Sequence, residues 1–216
     1  SFMTTHRHLM ASMDYASLAA GYGSEANYRF LEDHFPDLTA IIPYGTMLKE
    51  QTKKWQSDKK KVMNWKYLEE EDYYLDSEGV RFNFHAYRQR TDKYGFTRDV
   101  KEYKAEKYDA HQHVIPEALT EKGNLRQIQV NPSWEYFKAK QRDYAADPTT
   151  QAVYQRRKIE VESAFGFLKG SLGFTRFHLR GKEKVNQEVG LALMAYNLHK
   201  LALQVRQLTK QKQAIA

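Results

Sequence analysis

The chain has 216 residues, 41% of them hydrophobic, which suffices for one sizeable domain or for a core that carries an inserted subdomain. It holds 34 Lys and Arg against 27 Asp and Glu, and the net charge of +7 favours a polyanionic partner such as nucleic acid, or simply a solubilising surface. The lack of cysteine excludes disulfides and thiolate metal sites, and the sequence shows neither a signal peptide nor an apolar run of about 18 residues, so we expect an intracellular protein that does not span a membrane.

The first 54 residues predict a strand, a turn, a helix and a second strand. Residues 15–20 are short and mostly small or apolar, and the glycines that follow break the strand before Ser24 caps a helix to about His34. Residues 39–44 are a second buried-strand candidate. This order predicts a β-α-β unit with a parallel pair of strands.

The pattern changes between residues 65 and 108 to aromatic-rich strands, with turn signals at residues 76–79 and 91–95. We interpret residues 55–124 as an antiparallel β-rich subdomain inserted between two parts of the main fold. Residues 125–130 are one further strand candidate. The remainder of residues 125–216 is predicted to be helical.

Three helices are predicted in that last part. Pro132 begins one that ends near Ala146, Asp147 and Pro148 begin a second that ends near Gly170, and a long third helix follows Gly181. The apolar residues of the third helix cover more than one stripe, which predicts burial on two sides. These residues are Val185, Val189, Leu191, Leu193, Met194, Leu198, Leu201 and Val205.

The second of these helices carries an acid among basic and apolar groups, in the stretch RRKIEVESAFGFLK (residues 156–169). Seven residues of an α-helix advance about 700°, so Glu162 and Lys169 are expected on the same side of the helix. The expected apolar stripe beside them comprises Val161, Phe165, Leu168 and Leu172. By spacing alone, an ordinary surface ion pair between Glu162 and Lys158 is the favoured explanation of the acid.

Several blocks, in order, resemble DDE transposases of bacterial insertion sequences. Residues 157–181 resemble the C-terminal catalytic block of that family, and residues 20–28 (AGYGSEANY) resemble an earlier block. Shorter matches are Ile42-Pro43-Tyr44, residues 94–98 (YGFTR) and residues 129–132 (QVNP). The resemblance therefore extends over nearly the whole chain.

This resemblance implies an RNase H-like fold in which two aspartates on strands and a glutamate on a helix hold two divalent metals, Mg²⁺ or Mn²⁺, for DNA cleavage and strand transfer. Glu162 matches the family's glutamate, and Lys169 matches the basic residue that contacts DNA near the reacting phosphate. Further DNA contacts are expected from cations on both sides of Glu162, with a solvated surface as the alternative. They are Arg157, Lys158, Arg176, Arg180 and Lys182.

The two aspartates are missing from their expected positions. Ala19 occupies the position at which the family has the second metal-binding aspartate. Either a substitution or a one-residue deletion would give this sequence. Asp14 is too far upstream on the strand to replace it, and Glu25 is interpreted as a first-turn acid that favours the helix dipole. Fewer than twenty residues precede the second block, too few for the three leading strands of an RNase H-like sheet.

We therefore predict the C-terminal part of a DDE transposase with an α/β (α+β) fold. Its three segments are a partial RNase H-like mixed sheet in residues 1–54, the inserted subdomain in residues 55–124, and helices in residues 125–216. As this chain it is expected to bind no Mg²⁺ or Mn²⁺ and to be catalytically inactive. The alternatives are a non-catalytic DNA-binding remnant and a decayed fragment.

DNA is the expected partner, and the expected location is the bacterial cytoplasm, in association with the nucleoid. Loss of the leading strands would expose a sheet edge and apolar surface, which predicts a homo-oligomer, either a dimer or a domain-swapped assembly.

Two other patterns also have simple structural explanations. The histidine pairs His6 and His8, and His111 and His113, have no carboxylate or third ligand at a recognisable spacing, so surface histidines are favoured over a metal site. The aromatic residues of the meander alternate with Arg81, Arg88, Arg90 and Arg98, as on a nucleic-acid platform or in ordinary sheet packing. Packing is favoured for the phenylalanines, and DNA contact stays open for the arginines.

Overall fold

A computed structural model describes residues 2–5 and 7–215, with the side chains of all of these except residues 2, 3, 9, 10, 158 and 211–215. The chain forms two compact units, residues 1–150 and 151–216. Mixed α and β structure confirms the predicted fold class, with a small parallel sheet and a five-stranded antiparallel sheet, as in a partial RNase H-like fold.

The first unit contains the predicted β-α-β arrangement. Strands β1 (Tyr15–Ser17) and β2 (Thr39–Ile41) pair in parallel, with Tyr15 opposite Thr39 and Ser17 opposite Ile41. A 3₁₀ turn (Ala20–Tyr22) follows β1 and ends it earlier than predicted. The helix α3 (Glu25–His34) then begins where Ser24 accepts a hydrogen bond from the backbone N–H of Asn27, as a Ser N-cap does.

The two edges of this parallel pair are bounded differently. On the outer edge of β2, Ile42 N donates to Gln141 Oε1 at 2.8 Å and Gln141 Nε2 donates to the Ala40 carbonyl at 2.9 Å. This side chain takes the place of a further strand and stops β2 short of the predicted residue 44. On β1, backbone groups of alternate residues point away from β2, so the groups of Tyr15 and Ser17 face an edge that pairs with no further strand among the described residues.

Short helices precede and follow the pair along the chain, and the sequence patterns did not predict them. They are α1 (Phe2–Thr5), α2 (Arg7–Met10), α4 (Met47–Glu50), α5 (Lys53–Gln56) and a 3₁₀ turn (Val62–Asn64).

The predicted antiparallel meander is confirmed. Five strands follow one another in sheet order, all neighbours antiparallel, with an irregularity between Phe84 and Ala86 in the third. Asp76 Oδ1 accepts the backbone N–H groups of Glu78 and Val80 and so forms the first predicted turn. The strands are β3 (Lys66–Leu68), β4 (Tyr73–Leu75), β5 (Arg81–Thr91), β6 (Thr97–Ala105) and β7 (Gln127–Val130).

A 3₁₀ turn (Pro116–Ala118) lies between β6 and β7, and α6 (Pro132–Ala146) follows β7. Two apolar clusters form the cores of this unit. One joins α3, the β2 region and α6 through Tyr28, Leu31, Ile42 and Phe137, among others, and one lies under the meander around Phe82 and Tyr103. The division into residues 1–54, 55–124 and 125–216 stays a proposal. The pairing of β7 with β6 places that strand in the meander's sheet.

The second unit is helical. The helix α7 (Pro148–Arg157) crosses the boundary between units and continues through a π turn (Lys158–Glu162) into α8 (Ser163–Gly170). The long helix α9 (Lys182–Ile215) follows a loop. The predicted helix from Pro148 to near Gly170 and the long helix after Gly181 are therefore both present, the first with a π turn inside it, and α6 confirms the predicted helix that begins at Pro132.

The predicted burial of α9 on two sides is wrong. On one side, the Phe167 ring of α8 lies 5.4 Å from that of Tyr196 and 4.5 Å from that of His199. Val185 and Val189 are half-buried. The large aliphatic side chains from Leu191 to Leu208 are exposed, because α8 has 8 residues and covers one side of a helix of 34. No described helix is long and apolar enough to cross a membrane.

The predicted apolar stripe beside Glu162 is also wrong in most of its members. Leu168 is buried, whereas Val161, Phe165 and Leu172 are exposed. A π turn winds more residues into each turn than an α-helix does, so Val161 is out of α-helical register with Leu168. Leu172 lies beyond the end of α8 at Gly170 and cannot continue the stripe.

Candidate nucleic-acid interface

Glu162 is the last residue of the π turn between α7 and α8. The local sequence favours such an irregularity, because the β-branched residues Ile159 and Val161 are poor α-helix formers. Ser163 adds to this by donating a hydrogen bond from its hydroxyl to the Ile159 carbonyl, a contact that bends helices. Single π turns inside helices are rare. Those that do occur are often found at functional sites.

The Glu162 side chain is exposed, as is that of Lys169. The Lys158 side chain lies outside the described residues, and with it the alternative ion pair between Lys158 and Glu162. Among the described side chains, Glu162 has no hydrogen bond and no ion pair. Its carboxylate is thus open to solvent and to ligands on that side of the helix.

The loop between α8 and α9 presents Arg176 and Arg180, both exposed, and Lys182 begins α9, also exposed. This loop is held by an acid that sequence reasoning missed. Glu188 of α9 accepts the backbone N–H of His178 at 2.9 Å and that of Leu179 at 3.1 Å, and its Oε1 lies 2.9 Å from His178 Nδ1. The hydrogen bond from the His178 backbone is the main cause of a lowered Glu188 pKa.

Positive charge is concentrated in the second unit. Residues 151–216 contain 12 Lys and Arg and four Asp and Glu, a net charge of +8, so the chain's whole excess of +7 lies there. The predicted DNA contacts all belong to this unit, together with Glu162: Arg157, Lys158, Lys169, Arg176, Arg180 and Lys182. Summed charge of one sign attracts a polyanion over a distance of several ångströms.

Ala19 lies two residues beyond β1, past the carboxyl end of a strand of the parallel pair, with extended backbone angles of φ −69° and ψ 153°. This is the kind of place where α/β folds present ligand-binding side chains. An alanine there offers a methyl group and no donor oxygen. Asp14 lies at the other end of β1, where its carbonyl accepts the Thr39 N–H at 2.9 Å.

Glu25 has a structural role that exceeds the predicted one. It does lie in the first turn of α3, but it is 5% exposed and holds an ion pair with Arg29 at 2.8 Å. Asn131 Nδ2 donates to Glu25 Oε2 at 2.6 Å, and Arg98 Nε lies 3.6 Å from the same oxygen. The sequence blocks at residues 20–28, 94–98 and 129–132 therefore meet at this carboxylate.

The described residues do not fit a pair of divalent metals. No group of three or more His, Cys, Asp or Glu side chains that could hold a metal ion occurs in the described part of the chain. Glu25 is neutralised by arginines, and Ala19 has no donor. No catalytic step through Mg²⁺ or Mn²⁺ is derived for this chain.

The arginines of the meander have mostly acidic partners. Arg81 lies 2.8 Å from Glu71 and over the Tyr73 ring, Arg98 contacts Asp92 and Glu25, and Arg88 lies 3.8 Å from Glu102. Arg90 is exposed. Packing explains Phe82, which is fully buried, but not Tyr87 and Tyr94, which are exposed.

The expected lack of a nearby carboxylate is wrong for one histidine pair. His113 does have a nearby carboxylate, since its Nδ1 lies 3.5 Å from Asp109 Oδ2. Asp109 forms a turn, in which its Oδ1 accepts the backbone N–H groups of both His111 and His113 at 2.8 Å. His6 lies outside the described residues.

The architecture is thus that of a mixed α+β protein with an exposed glutamate on a strongly cationic helical unit. A family model described as "Transposase DDE domain" matches residues 78–202, more than half of the chain, so the chain belongs to this transposase family. The match includes Glu162, Lys169 and the loop cations and begins after Ala19 and Glu25. No curated protein and no solved structure matches the chain.

Proposed function

We propose that the chain is the glutamate-bearing part of a DDE transposase that cuts and joins DNA, and that this polypeptide by itself binds DNA without cutting it. The observation that carries the proposal is the charge of +8 on residues 151–216, the unit that presents Glu162 and Lys169. Membership of a transposase family makes DNA the expected polyanion.

The proposed contacts are to phosphates. Lys169, Arg176, Arg180 and Lys182 are exposed, and the Glu188 hydrogen bonds fix the loop that carries two of them. Lysine and arginine contacts to phosphate oxygens position a protein on DNA without reading its sequence. The proposed binding is therefore independent of base sequence and sensitive to salt.

The proposed inactivity follows from the donor atoms. Phosphoryl transfer in this family requires several carboxylates at one place. Glu162 is one, the Ala19 methyl cannot be another, and Glu25 is engaged by Arg29, Arg98 and Asn131. The alternative function is a DNA-binding remnant. It shares the proposed DNA contacts but never becomes part of a complete active site.

The partial RNase H-like core is proposed for residues 1–54. Support comes from the edge of β1 that faces away from β2, with which no further strand pairs among the described residues. A further strand at this edge would extend the sheet beside Ala19. The bacterial insertion-sequence origin and the nucleoid location belong to the same proposal.

A titration of a fluorescent DNA duplex at several salt concentrations tests the DNA contacts. The logarithm of affinity falls with the logarithm of salt concentration by about 0.9 per neutralised phosphate. Changing Arg176, Arg180 and Lys182 together to Ala is expected to reduce that slope by about 2 to 3, with similar effects on unrelated duplexes.

The matched control is the triple change of Lys59, Lys60 and Lys66 to Ala, which removes the same charge from exposed positions of the first unit. It is expected to leave the slope nearly unchanged. Equal slopes for the wild type and the first triple variant would refute the proposed contact surface. No DNA binding at low salt would favour a decayed fragment.

A further inference from the structure

The exposed apolar residues of α9 follow a heptad pattern. Each is more than half exposed, and they recur at alternating spacings of three and four residues along the helix. We call this set the α9 seam: Leu191 (67% exposed), Met194 (57%), Leu198 (61%), Leu201 (55%), Val205 (54%) and Leu208 (57%). Apolar residues with this spacing form one continuous stripe along a helix, and such a stripe packs against another helix.

The α9 seam lies on the side of the helix that α8 does not use. Tyr196, which contacts Phe167 of α8, is two residues from both Met194 and Leu198 and hence about 200° around the helix from each. The contacts of α8 thus account for one apolar stripe and leave the seam uncovered. A shallow groove on the seam side is lined by Gly190, Leu193, Met194, Asn197, Leu198 and Leu201.

The residues beside the seam permit self-association. In the heptad that begins at Leu191, the flanking positions hold small or uncharged side chains, so two copies meet without like-charge repulsion at the interface. They are Gly190, Ala195, Asn197, Ala202, Gln204 and Thr209.

We propose that the α9 seam pairs with the same seam of a second copy of the chain, in antiparallel orientation. After Glu188 the helix carries cations and no acid, including Lys200, Arg206 and Lys210, so a parallel pair would bring two positive ends together. An antiparallel pair separates these ends and also opposes the two helix dipoles.

The seam is self-complementary in the antiparallel arrangement. Leu191 meets Leu208 of the second copy, Met194 meets Val205, and Leu198 meets Leu201, so every large side chain has an apolar partner. The paired stretch is 18 residues, or about 27 Å of helix. This proposal does not depend on DNA binding.

Light scattering at about 50 µM, a concentration at which an interface of micromolar affinity is filled, measures the assembly. The wild type is expected at twice the chain mass of 25.4 kDa, and the variant Leu198→Glu with Leu201→Glu at the mass of one chain. Far-UV circular dichroism should show unchanged helicity, because both side chains are exposed within one chain. The matched control, Asn186→Glu with Gln207→Glu, adds the same charges off the seam and is expected to stay dimeric.

Disulfide trapping reports the orientation, since the chain contains no cysteine. A mixture of Leu191→Cys and Leu208→Cys chains is expected to give cross-linked dimers of one variant with the other. Cross-linked homodimers of each variant, without mixed dimers, would refute the antiparallel arrangement. A wild-type monomer at this concentration would refute the proposal altogether, and slow maleimide labelling of Leu191→Cys in that monomer would show that the chain covers its own seam.

Discussion

Gly23 and Glu25 show why short sequence blocks far apart in the chain belong together. A Cβ atom added at Gly23 would lie 2.6 Å from the Pro43 carbonyl oxygen, 2.9 Å from the Tyr28 hydroxyl and 3.0 Å from Tyr44 Cα. The turn at residues 21–23 therefore packs directly on the block Ile42-Pro43-Tyr44. Glu25, two residues on, joins the other blocks through Arg98 and Asn131.

We expect Gly23→Ala to destabilise the first unit by about 1 to 3 kcal/mol, because backbone atoms that close cannot move aside without strain. The measurement is urea unfolding followed by Trp fluorescence. Gly21→Ala is the matched control, since nothing lies within 4 Å of a Cβ at that position. Equal stability of the two variants would contradict the close packing at Gly23.

At the scale of elements, the loop before α9 depends on one carboxylate. Glu188 accepts two backbone N–H groups and has a lowered pKa, so its ionised form stabilises the loop. For a lowered pKa, this stabilisation is complete above the ordinary glutamate pKa and is lost as pH falls through the lowered value. The loop is therefore expected to keep its structure at neutral pH and to release in acid.

The amide proton shifts of His178 and Leu179, followed by NMR between pH 7 and pH 2, measure this release, a range that brackets ordinary glutamate titration. Both are expected to titrate together, at a pH below the ordinary glutamate value, as Glu188 takes up a proton. In Glu188→Gln the step should vanish. Glu183→Gln, at a neighbouring exposed acid of α9, should leave it in place.

Local signals predicted the elements, and distant contacts decided their ends. The β-α-β order, the meander and the helix starts at Ser24 and Pro132 follow from turn and capping residues that act within a few positions. The end of β2 depends on Gln141, about a hundred residues away, which no local pattern contains. The apolar stripes of α9 were visible in the sequence, but a pattern of hydrophobicity does not say which stripe is covered.

For the candidate site, too, the sequence indicated individual residues but not the contacts around them. The resemblance gave Glu162, Lys169 and Ala19, and the later family match includes the first two. It gave neither the π turn that presents Glu162 nor the partners of Glu25. The π turn depends on a local competition between hydrogen bonds. The contacts of Glu25 are an ion pair with Arg98, about 70 residues away, and a hydrogen bond from Asn131, about 100 residues away.

At the scale of the whole molecule, charge divides between the units. Residues 151–216 carry +8 and residues 1–150 therefore about −1, so a polyanion is attracted to one unit and not to the other. The carboxylates follow the opposite distribution, since 23 of the 27 acids lie in the first unit. In the proposed function, the cationic unit accounts for binding and the missing donors account for the lack of cutting.

The last prediction separates DNA binding from catalysis. Two-metal sites hold ions about 3.5–4 Å apart with several carboxylates, so Glu162 alone, or Glu162 with Ala19→Asp, is expected to give no nicking of supercoiled plasmid in Mg²⁺ or Mn²⁺. An added segment that supplies a third carboxylate from a strand beside β1, combined with Ala19→Asp, is expected to restore nicking. Glu162→Gln should then abolish the restored nicking, while Glu160→Gln, at an exposed acid of the same π turn, should not. Agarose gels score the conversion of supercoiled to open circles. Metal-dependent nicking by the wild-type chain that disappears in Glu162→Gln would show that the chain already holds a complete set of donors.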